Sequence, residues 1–339
     1  MNNIMTMDGK YNFTKDLKYN DKFNIWVSYH NENQIDKFNL KDTDNITLFN
    51  TANIGYEGKL INHLNRFLCE GVCLIYPYLN NKKSEYIGFR HYRRIFNESK
   101  IDFNKLDNNW IQYFHSHFPK NYYKTYEKNF NIHINNKTKY KNIEDHCFFW
   151  SIDKCGIMDD LIEFLQTQYP QYLKNEREFH KMIWGSIFVC KWNIYKKLAK
   201  FIYDYIKFID DKYNLCFDED KWFKHVYDKF LTYNQLHHPK YPNFLAMKLI
   251  EEDDSVWMEL NFWGERGWIN CPYEGFNSLI NTYENLYRVY SYNIEFLVSV
   301  FIHNHKNFLM KNNSLHMIEK NGEIYMMPFE EDMIIYDYV

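Results

Sequence analysis

The sequence predicts an α/β fold, a mixed sheet flanked by helices, with a helical elaboration in its carboxyl-terminal part. Short apolar runs rich in β-branched and aromatic residues predict buried strands over 23–29, 85–91 and 186–190. Apolar residues spaced three and four apart predict helices over 57–79, 156–169 and 193–212. Strands and helices that alternate along a chain are typical of a layered α/β sheet.

The chain shows no clear boundary between domains. Residues 1–22 are polar and aperiodic, which predicts a loose amino-terminal arm, and residues 97–140 predict a long excursion with short helices. Further elements expected along the chain are helices near 219–233 and 276–302 and an edge hairpin at 320–323. Because no repeat and no linker rich in Pro, Gly or Ser appears, we expect a single domain over 23–339 with an extra segment at about 234–275.

Composition restricts the classes of function. The formal net charge of −3 gives the molecule no overall field that would recruit nucleic acid or an anionic membrane. The seven cysteines are scattered and contain no C-x-x-C pair, so we expect reduced thiols. No signal-like run and no stretch of about 18 apolar residues occurs, which predicts a cytoplasmic protein without a membrane span.

The strongest local signal is a group of cationic side chains directly after a predicted strand. Arg90, His91, Arg93 and Arg94 fall within five residues around Tyr92. Ligands of open α/β sheets bind where loops leave the carboxyl ends of strands, and the donor fork of arginine suits phosphate oxygens. A diphosphate is the ligand that this segment favours. The alternative is a solvated strand end whose arginines pair with acidic neighbours, and spacing alone does not choose between the two.

The sequence resembles the DUF4422 family of glycosyltransferase-like proteins over about residues 24–302. The specific match is the segment Tyr86-Ile-Gly-Phe-Arg-His-Tyr-Arg-Arg-Ile-Phe96, which is similar to the family's HYRR motif. Weaker matches are Asn53-Ile54, Asn65–Glu70 with the family's spacing of Asn, Cys and Glu, Tyr169–Tyr172, Ser186–Lys191 and Ile294–Leu297.

This resemblance implies a GT-A-like Rossmannoid fold and the transfer of a sugar from a UDP- or GDP-linked donor to a glycan or other hydroxyl acceptor, in polysaccharide biosynthesis. It implies that the donor-binding residues are Arg90, Tyr92, Arg93, Arg94, Asn53, Asn65 and Ser186. It also implies that His91, Glu70 and Glu295 are catalytic. Within this set, Arg93 and Arg94 carry the diphosphate, His91 orients it, and the two glutamates are supporting or catalytic carboxylates.

The predicted site differs from the usual GT-A arrangement in its charge. In that fold the corresponding strand ends in Asp-x-Asp, which holds a divalent metal, whereas here it ends in His-Tyr-Arg-Arg. A leaving nucleoside diphosphate must be neutralised either by a metal or by fixed cations, so the arginines favour a reaction that requires no cofactor. Mg²⁺ or Mn²⁺ is the alternative, and the candidate acidic clusters are 42–44, 218–220 and 251–254.

Glu295 lies in one of the most apolar helical stretches of the chain, so its carboxylate is expected to be at least partly buried. It is then either in a structural ion pair or beside the cluster of His91, Arg93 and Arg94.

The sequence departs from the family pattern at three places, and two other functions are compatible with it. The departures are Gly71-Val72 in place of Leu-Thr, Ser186 in place of Asn, and Phe296 in place of Arg. The first rival is a non-catalytic module of the same fold that binds a sugar nucleotide or a glycan. The second is a nucleic-acid enzyme, which the Lys and Tyr content suggests and the net charge of −3 disfavours.

Overall fold

The structure is a computed structural model that describes residues 17–96, 98–106, 110–114, 157–173, 186–237, 255–259, 268–272, 288–305, 307–311, 314–320 and 323–328. The strands in these ranges are β1 (Phe23–Tyr29), β2 (Ile46–Asn50), β3 (Tyr86–His91), β4 (Arg94–Phe96), β5 (Trp110–Phe114), β6 (Phe188–Lys191), β7 (Ser255–Glu259), β8 (Trp268–Pro272), β9 (Asn307–Lys311), β10 (Ser314–Lys320) and β11 (Glu323–Pro328). The helices are α1 (Asn33–Lys37), α2 (Asn65–Leu68), α3 (Gly71–Leu79), α4 (Ile157–Gln168), α5 (Trp192–Tyr213), α6 (Glu219–His237) and α7 (Val289–Asn304). None of these helices is long and apolar enough to cross a membrane.

The main sheet has six strands in the order β2-β1-β3-β6-β5-β9. β1 pairs in parallel with β2 and β3, and β5 pairs in parallel with β9. β6 runs antiparallel to both of its neighbours, β3 and β5. The predicted mixed sheet flanked by helices is confirmed, and the three strands expected from the sequence occupy adjacent positions in it.

One face of this sheet carries an apolar layer. It contains Ile25 and Val27 of β1, Leu48 of β2 and Val189 of β6, together with residues of the neighbouring loops. Gly88 of β3 lies on this face, where an added Cβ would be 3.0 Å from Cγ2 of Val189 and 3.3 Å from Cγ1 of Ile25. Glycine therefore allows the three strands to pack closely at this point.

The opposite face is covered by helices. The ring of Trp26 lies 5.7 Å from that of Tyr76 in α3, and the ring of Phe89 lies 5.2 Å from that of Tyr195 in α5. The Tyr195 hydroxyl donates a hydrogen bond of 2.9 Å to the backbone oxygen of Leu74 in α3. α3 and the first part of α5 therefore form one layer on the same face of the sheet.

A second, smaller sheet follows β3 in the chain. β4 pairs antiparallel with β10, and β10 pairs antiparallel with β11, so that the order is β11-β10-β4. Lys320 pairs with Glu323, which confirms the hairpin expected at 320–323.

Several strands were not predicted. β2, β5 and β9 all belong to the main sheet, although β5 falls in the segment expected to be an excursion with short helices. Each has only five residues, and its backbone partners lie elsewhere in the chain. Such strands are specified by their packing partners more than by local sequence.

The helix expected over 57–79 is broken in two places. A 3₁₀ turn over Asn62–Leu64 leads into α2, and α3 begins only at Gly71. Between them, Cys69 has φ of 45° and ψ of −125°, which a continuous helix cannot contain. The helices expected over 156–169, 193–212 and 219–233 are confirmed by α4, α5 and α6, and α7 begins at Val289, with 276–287 outside the described residues.

The residues just before β1 are bound to the sheet, although the sequence indicated a loose arm as far as residue 22. Leu17 is buried, and the Ser84 hydroxyl donates to the backbone oxygen of Asn20 over 2.5 Å. The backbone oxygens of Asp21 and Lys22 also accept hydrogen bonds from the start of β3. This segment therefore extends the pairing of β1 with β3.

Contacts divide the chain into two compact units, where the sequence indicated a single domain. The first unit contains 1–124, 175–206 and 294–339, and the second contains 125–174 and 207–293. Two of the boundaries fall inside α5 and α7, so no change of composition marks them. The predicted extra segment at about 234–275 belongs to the second unit and includes the antiparallel pair β7 and β8.

A buried carboxylate lies at the centre of the described helices of the second unit. Asp160 of α4 is 2% exposed. Lys212 and Lys229 place their Nζ atoms 2.8 and 2.9 Å from its two oxygens, and the Tyr213 hydroxyl donates to it over 2.6 Å. Because a buried charge is costly without partners, these three bonds let the chain keep Asp160 away from water.

His225 of α6 lies beside this carboxylate cluster. Its ring is 4.0 Å from that of Tyr213, and its Nε2 is 2.7 Å from the Tyr290 hydroxyl. Burial, aided by the charge of Lys229, lowers the pKa of His225 to about 4. The imidazole is therefore neutral in the folded protein at physiological pH.

Candidate functional site

The carboxyl ends of β1, β2 and β3 form the edge of the main sheet at which the predicted site lies. These strands end at Tyr29, Asn50 and His91. Because they run parallel, the loops that follow them leave from the same edge. The segment from His91 to Arg94 therefore occupies the position where open α/β sheets bind ligands.

Ser186 joins this edge because β6 runs in the opposite direction. Phe89 pairs with Phe188, and continuing the antiparallel register by two residues brings Ser186 level with His91. Ser186 is 2% exposed and has a positive φ of 52°, and its buried hydroxyl has no hydrogen-bond partner. The structure thus places a buried, unmatched hydroxyl next to the cationic motif.

The pleat of β3 sends Arg90 and His91 to opposite faces of the sheet. Arg90 pairs with Val27, so its side chain projects on the face of the apolar layer. His91 projects on the same face as Phe89, which is the face covered by α3 and α5.

Arg90 is a half-buried cation whose Nε atom is itself buried. Its Nε has no hydrogen-bond partner, and burial lowers the pKa of the guanidinium below its ordinary value. The carboxylate of Glu98 opposes this lowering, but Glu98 is itself exposed and offsets it only in part. A desolvated guanidinium of this kind attracts an anion more strongly than an exposed one.

His91, Tyr92 and Arg93 contact one another at the end of β3. The rings of His91 and Tyr92 are 4.1 Å apart, and the backbone N–H of Arg93 donates to Nδ1 of His91 over 3.4 Å. The exposed Arg93 guanidinium lies 5.4 Å from the Tyr92 ring. Tyr92 is largely buried, and its ring lies 4.9 Å from that of Phe38. The Arg93 guanidinium therefore packs against a ring that is itself held in the core.

Arg94 begins β4 and is held by the second sheet. Its partner in the antiparallel register is His316 of β10. The side chain is half-buried. The backbone of Arg94 is therefore fixed by strand pairing, whereas Arg93 lies in the turn between two strands.

Two helices bring Glu70 and Glu295 to one place. A Cβ added to Gly71, the first residue of α3, would lie 2.5 Å from Cδ1 of Ile294 in α7. Glu70 precedes Gly71 and Glu295 follows Ile294, so this contact brings the backbones of the two glutamates close together, and both residues are half-buried. α3, which Glu70 directly precedes, covers the face of the sheet toward which His91 projects.

Asn65 opens the short helix that precedes Glu70. Its side-chain Oδ1 is buried and has no hydrogen-bond partner. Its backbone oxygen accepts from the N–H of Cys69 over 2.8 Å. The predicted site residues Arg90, Ser186 and Asn65 thus each contribute a buried polar atom that the fold leaves unmatched, which is unusual because buried polar groups are nearly always paired.

Asn53 has a local role in the loop after β2. Its Oδ1 accepts from the N–H of Gly55 over 2.8 Å, and its backbone oxygen accepts from Nδ2 of Asn62 over 2.8 Å. Asn62 and the carboxylate of Glu32, which accepts a hydrogen bond of 2.7 Å from Nδ2 of Asn50, were not predicted. Glu32 and Asn62 follow the ends of β1 and β2 in the chain, and this position was the one sequence signal for them. The signal was incomplete because β2 was not predicted as a strand.

The acidic clusters considered for Mg²⁺ or Mn²⁺ have local partners where the structure describes them. Oδ1 of Asp42 accepts from the N–H of Leu48 over 3.1 Å, and Oδ1 of Asp218 accepts from the N–H of Lys221 over 2.9 Å at the start of α6. Residues 251–254 lie outside the described residues. Across the described ranges, no group of three or more His, Cys, Asp or Glu side chains is arranged to hold a metal ion.

The chemistry available at this edge is anion binding beside a pair of carboxylates. Arg90, Arg93 and Arg94 supply positive charge close to the end of β3. Glu70 and Glu295 are half-buried carboxylates of the kind that can accept a proton.

The comparison with protein families agrees with the motif. The family described as "Domain of unknown function (DUF4422)" matches residues 25–225. No curated protein matches the sequence. Among solved structures, the apo structure of the bifunctional glycosyltransferase WbbM is similar at 16% identity and a TM-score of 0.36, covering 56% of this chain and 37% of that one. Since the family match spans more than half of the chain and includes the HYRR segment, the protein belongs to the DUF4422 family.

Proposed function

We propose that this protein is a glycosyltransferase that moves a sugar from a nucleotide-diphospho-sugar donor to a glycan or other hydroxyl acceptor. The observation that carries the proposal is the concentration of arginines at the carboxyl edge of a mainly parallel sheet, together with two half-buried glutamates whose segments meet where Gly71 packs against Ile294. Phosphate recognition needs the first feature, and activation of an acceptor hydroxyl needs the second.

In the proposed reaction, the bond between the anomeric carbon and the diphosphate oxygen breaks as a bond to the acceptor oxygen forms. Glu295 or Glu70 takes the proton of the acceptor hydroxyl. Arg93 and Arg94 neutralise the negative charge that develops on the leaving diphosphate, and His91 orients it. The backbone of Arg94 is fixed by its pairing with β10 before the donor binds.

The residues at the end of β3 fit this reaction without a metal. Mg²⁺ prefers oxygen ligands, whereas the guanidinium groups at this strand end repel a cation. The arginines supply the charge that a metal supplies in Asp-x-Asp sites. We therefore expect transfer to persist when divalent ions are removed.

The test is to incubate the purified protein with UDP- and GDP-linked sugars, together with hydroxyl acceptors, and to measure release of the nucleoside diphosphate. We expect release with at least one donor, and equal release in EDTA. Turnover that disappears in EDTA and returns with Mn²⁺ would contradict the metal-free reaction. Donors that stabilise the protein but are never consumed would instead identify a binding module.

A further inference from the structure

Glu32 lies in the turn between β1 and α1, at the carboxyl edge of the main sheet, and the proposed reaction does not use it. Its Oε1 accepts hydrogen bonds from Nδ2 of Asn50 over 2.7 Å and from the Tyr29 hydroxyl over 3.1 Å. Burial raises the pKa of Tyr29, so its hydroxyl stays protonated and donates. These two bonds join the ends of β1 and β2 and hold the carboxylate in one orientation.

The second carboxylate oxygen of Glu32 has no such bond. Within the described residues, Oε2 accepts no hydrogen bond and no cation forms an ion pair with Glu32, although the residue is half-buried. A carboxylate that is bonded at one oxygen can accept a hydrogen bond from a ligand at the other. It therefore suits a hydroxyl or an N–H group, and its charge repels a phosphate.

Glu32 and Arg93 lie at the same edge of the apolar layer. Tyr29 and Tyr92 both belong to this layer, and Glu32 is bonded to Tyr29. The Tyr92 ring lies 5.4 Å from the Arg93 guanidinium and 5.6 Å from the exposed ring of His30, which is two residues before Glu32 in the chain. The edge thus carries a cation beside the end of β3 and a carboxylate beside the ends of β1 and β2.

The order of these strands matches the order of groups in a nucleoside diphosphate. Neighbouring strands lie about 4.8 Å apart, so the ends of β2 and β3 are about 10 Å apart, with β1 between them. A diphosphate bound by the arginines after β3 leaves its nucleoside free to extend toward the ends of β1 and β2. The nucleoside carries hydroxyl and N–H donors and no negative charge of its own, so it fits a carboxylate where a phosphate does not.

We propose that Glu32 is a specificity-determining residue of the donor site, and that its Oε2 accepts a hydrogen bond from the nucleoside, at a ribose hydroxyl or at an N–H group of the base. This inference rests on the proposed function and extends it from the diphosphate to the nucleoside. Its consequence is that Glu32 strengthens the binding of a nucleoside diphosphate and not that of pyrophosphate. A glutamate that only joins β1 to β2 would not distinguish the two ligands.

The experiment compares wild type with Glu32→Gln, with UDP, GDP and inorganic pyrophosphate titrated by calorimetry. The amide oxygen can keep both bonds of Oε1, whereas the amide nitrogen in place of Oε2 cannot accept a hydrogen bond. We expect Glu32→Gln to bind the preferred nucleoside diphosphate about tenfold more weakly or worse, and pyrophosphate with at least the wild-type affinity. Asp36→Asn removes one negative charge from an exposed position of α1, and we expect it to leave every affinity unchanged.

Deoxy analogues of the preferred nucleoside diphosphate identify the group that Glu32 binds. If it is a ribose hydroxyl, the 2′- or the 3′-deoxy analogue binds wild type more weakly than the parent does, and Glu32→Gln does not distinguish that analogue from the parent. If it is an N–H group of the base, Glu32→Gln weakens the parent and both analogues by the same factor.

Three results would overturn the inference: no binding of UDP or GDP by wild type, unchanged nucleoside diphosphate affinity in Glu32→Gln, or an equal loss of affinity for pyrophosphate. The urea midpoint is measured alongside. A lower midpoint in Glu32→Gln, together with equal weakening of all ligands, would assign Glu32 only to the link between β1 and β2.

The failure of this inference is distinguishable from that of the proposed function. Nucleoside diphosphate binding that depends on Glu32, without turnover of any donor, would support the nucleoside contact and remove the transferase. Sugar transfer that continues at the wild-type kcat/KM in Glu32→Gln would overturn the contact and leave the transferase in place.

Discussion

Asp160 is a fully buried charge and Arg90 is a half-buried one with a buried Nε, and the two differ in the partners that the fold gives them. Asp160, in the second unit, receives two lysine ammonium groups and a tyrosine hydroxyl at 2.6 to 2.9 Å. Arg90, in the first unit, has a buried Nε without a partner, and burial lowers the pKa of its guanidinium.

We expect this difference to separate a charge that stabilises the fold, Asp160, from one that binds a ligand, Arg90. The partners of Asp160 come from α5 and α6, so the carboxylate ties together three helices of its unit. At Arg90 the fold tolerates a desolvated cation at the edge where ligands bind. We therefore expect substitutions of Asp160 to change stability, and substitutions around Arg90 to change binding.

The largest expected effect is on the stability of Asp160→Asn. This change leaves two partly buried lysines without their carboxylate, and breaking such a pair costs about 3–5 kcal/mol. Urea denaturation measures it. Asp211→Asn is the control, because its 4.0 Å pair with Lys207 is exposed and contributes about 0.5 kcal/mol or less. A similar loss in both variants would break the comparison.

Glu295→Gln tests whether a half-buried carboxylate belongs with Asp160 or with the site. The amide keeps the shape and cannot accept a proton, so we expect sugar transfer to fall by about 10²-fold or more. The urea midpoint should stay unchanged. Glu85→Gln, at the opposite edge of the sheet, is the matched control for turnover. Normal transfer by Glu295→Gln, or an unfolded protein, would return the residue to a structural role.

Arg93→Ala and Arg94→Ala test whether cations at the sheet edge contribute to donor binding and not to stability. Each removes a charge-assisted contact to the donor, which should weaken binding by about 1.5–3 kcal/mol. Arg93 is exposed and Arg94 half-buried, so neither change should destabilise the fold. Calorimetry with the nucleotide sugar that the protein consumes is the measurement. Equal affinity in both variants and wild type would exclude these arginines from the donor site.

The smallest expected effect is the pH dependence of stability that His225 causes. Its folded pKa of about 4 lies below the ordinary value of 6.5, so the folded state binds fewer protons than the unfolded state between these values. Its contribution to stability is complete above pH 6.5 and declines as pH falls toward 4. At pH 5 we expect a loss of up to about 2 kcal/mol relative to pH 7, measured by urea denaturation. His225→Gln should lose less; an equal loss would contradict the assignment.

The sequence predicted those parts of the fold whose pattern is local. β1 and β3 are apolar runs, and α5 repeats its apolar residues at helical spacing. β2 and β5 were missed because they are short and become strands through distant partners. The break at Cys69 was missed because the apolar spacing of Phe67, Leu68 and Val72 continues across it, while the backbone does not.

The candidate site was predicted as a set of residues, and its geometry was not. The motif identified Arg90 and His91 together, but only strand pairing shows that they project on opposite faces. The segments that carry Glu70 and Glu295 come together only because Gly71 packs against Ile294, more than 200 residues later in the chain. Asp160 gave one signal, an acid next to Leu161 on the apolar side of a helix, but its lysine partners lie 52 and 69 residues away.

The most direct test of the central claim is a crystal structure of the protein with a nucleoside diphosphate. We predict that the phosphates bind at the carboxyl edge of the main sheet, within hydrogen-bond distance of Arg90 and of Arg93 or Arg94. A diphosphate bound elsewhere, with all three guanidinium groups free of it, would contradict the account.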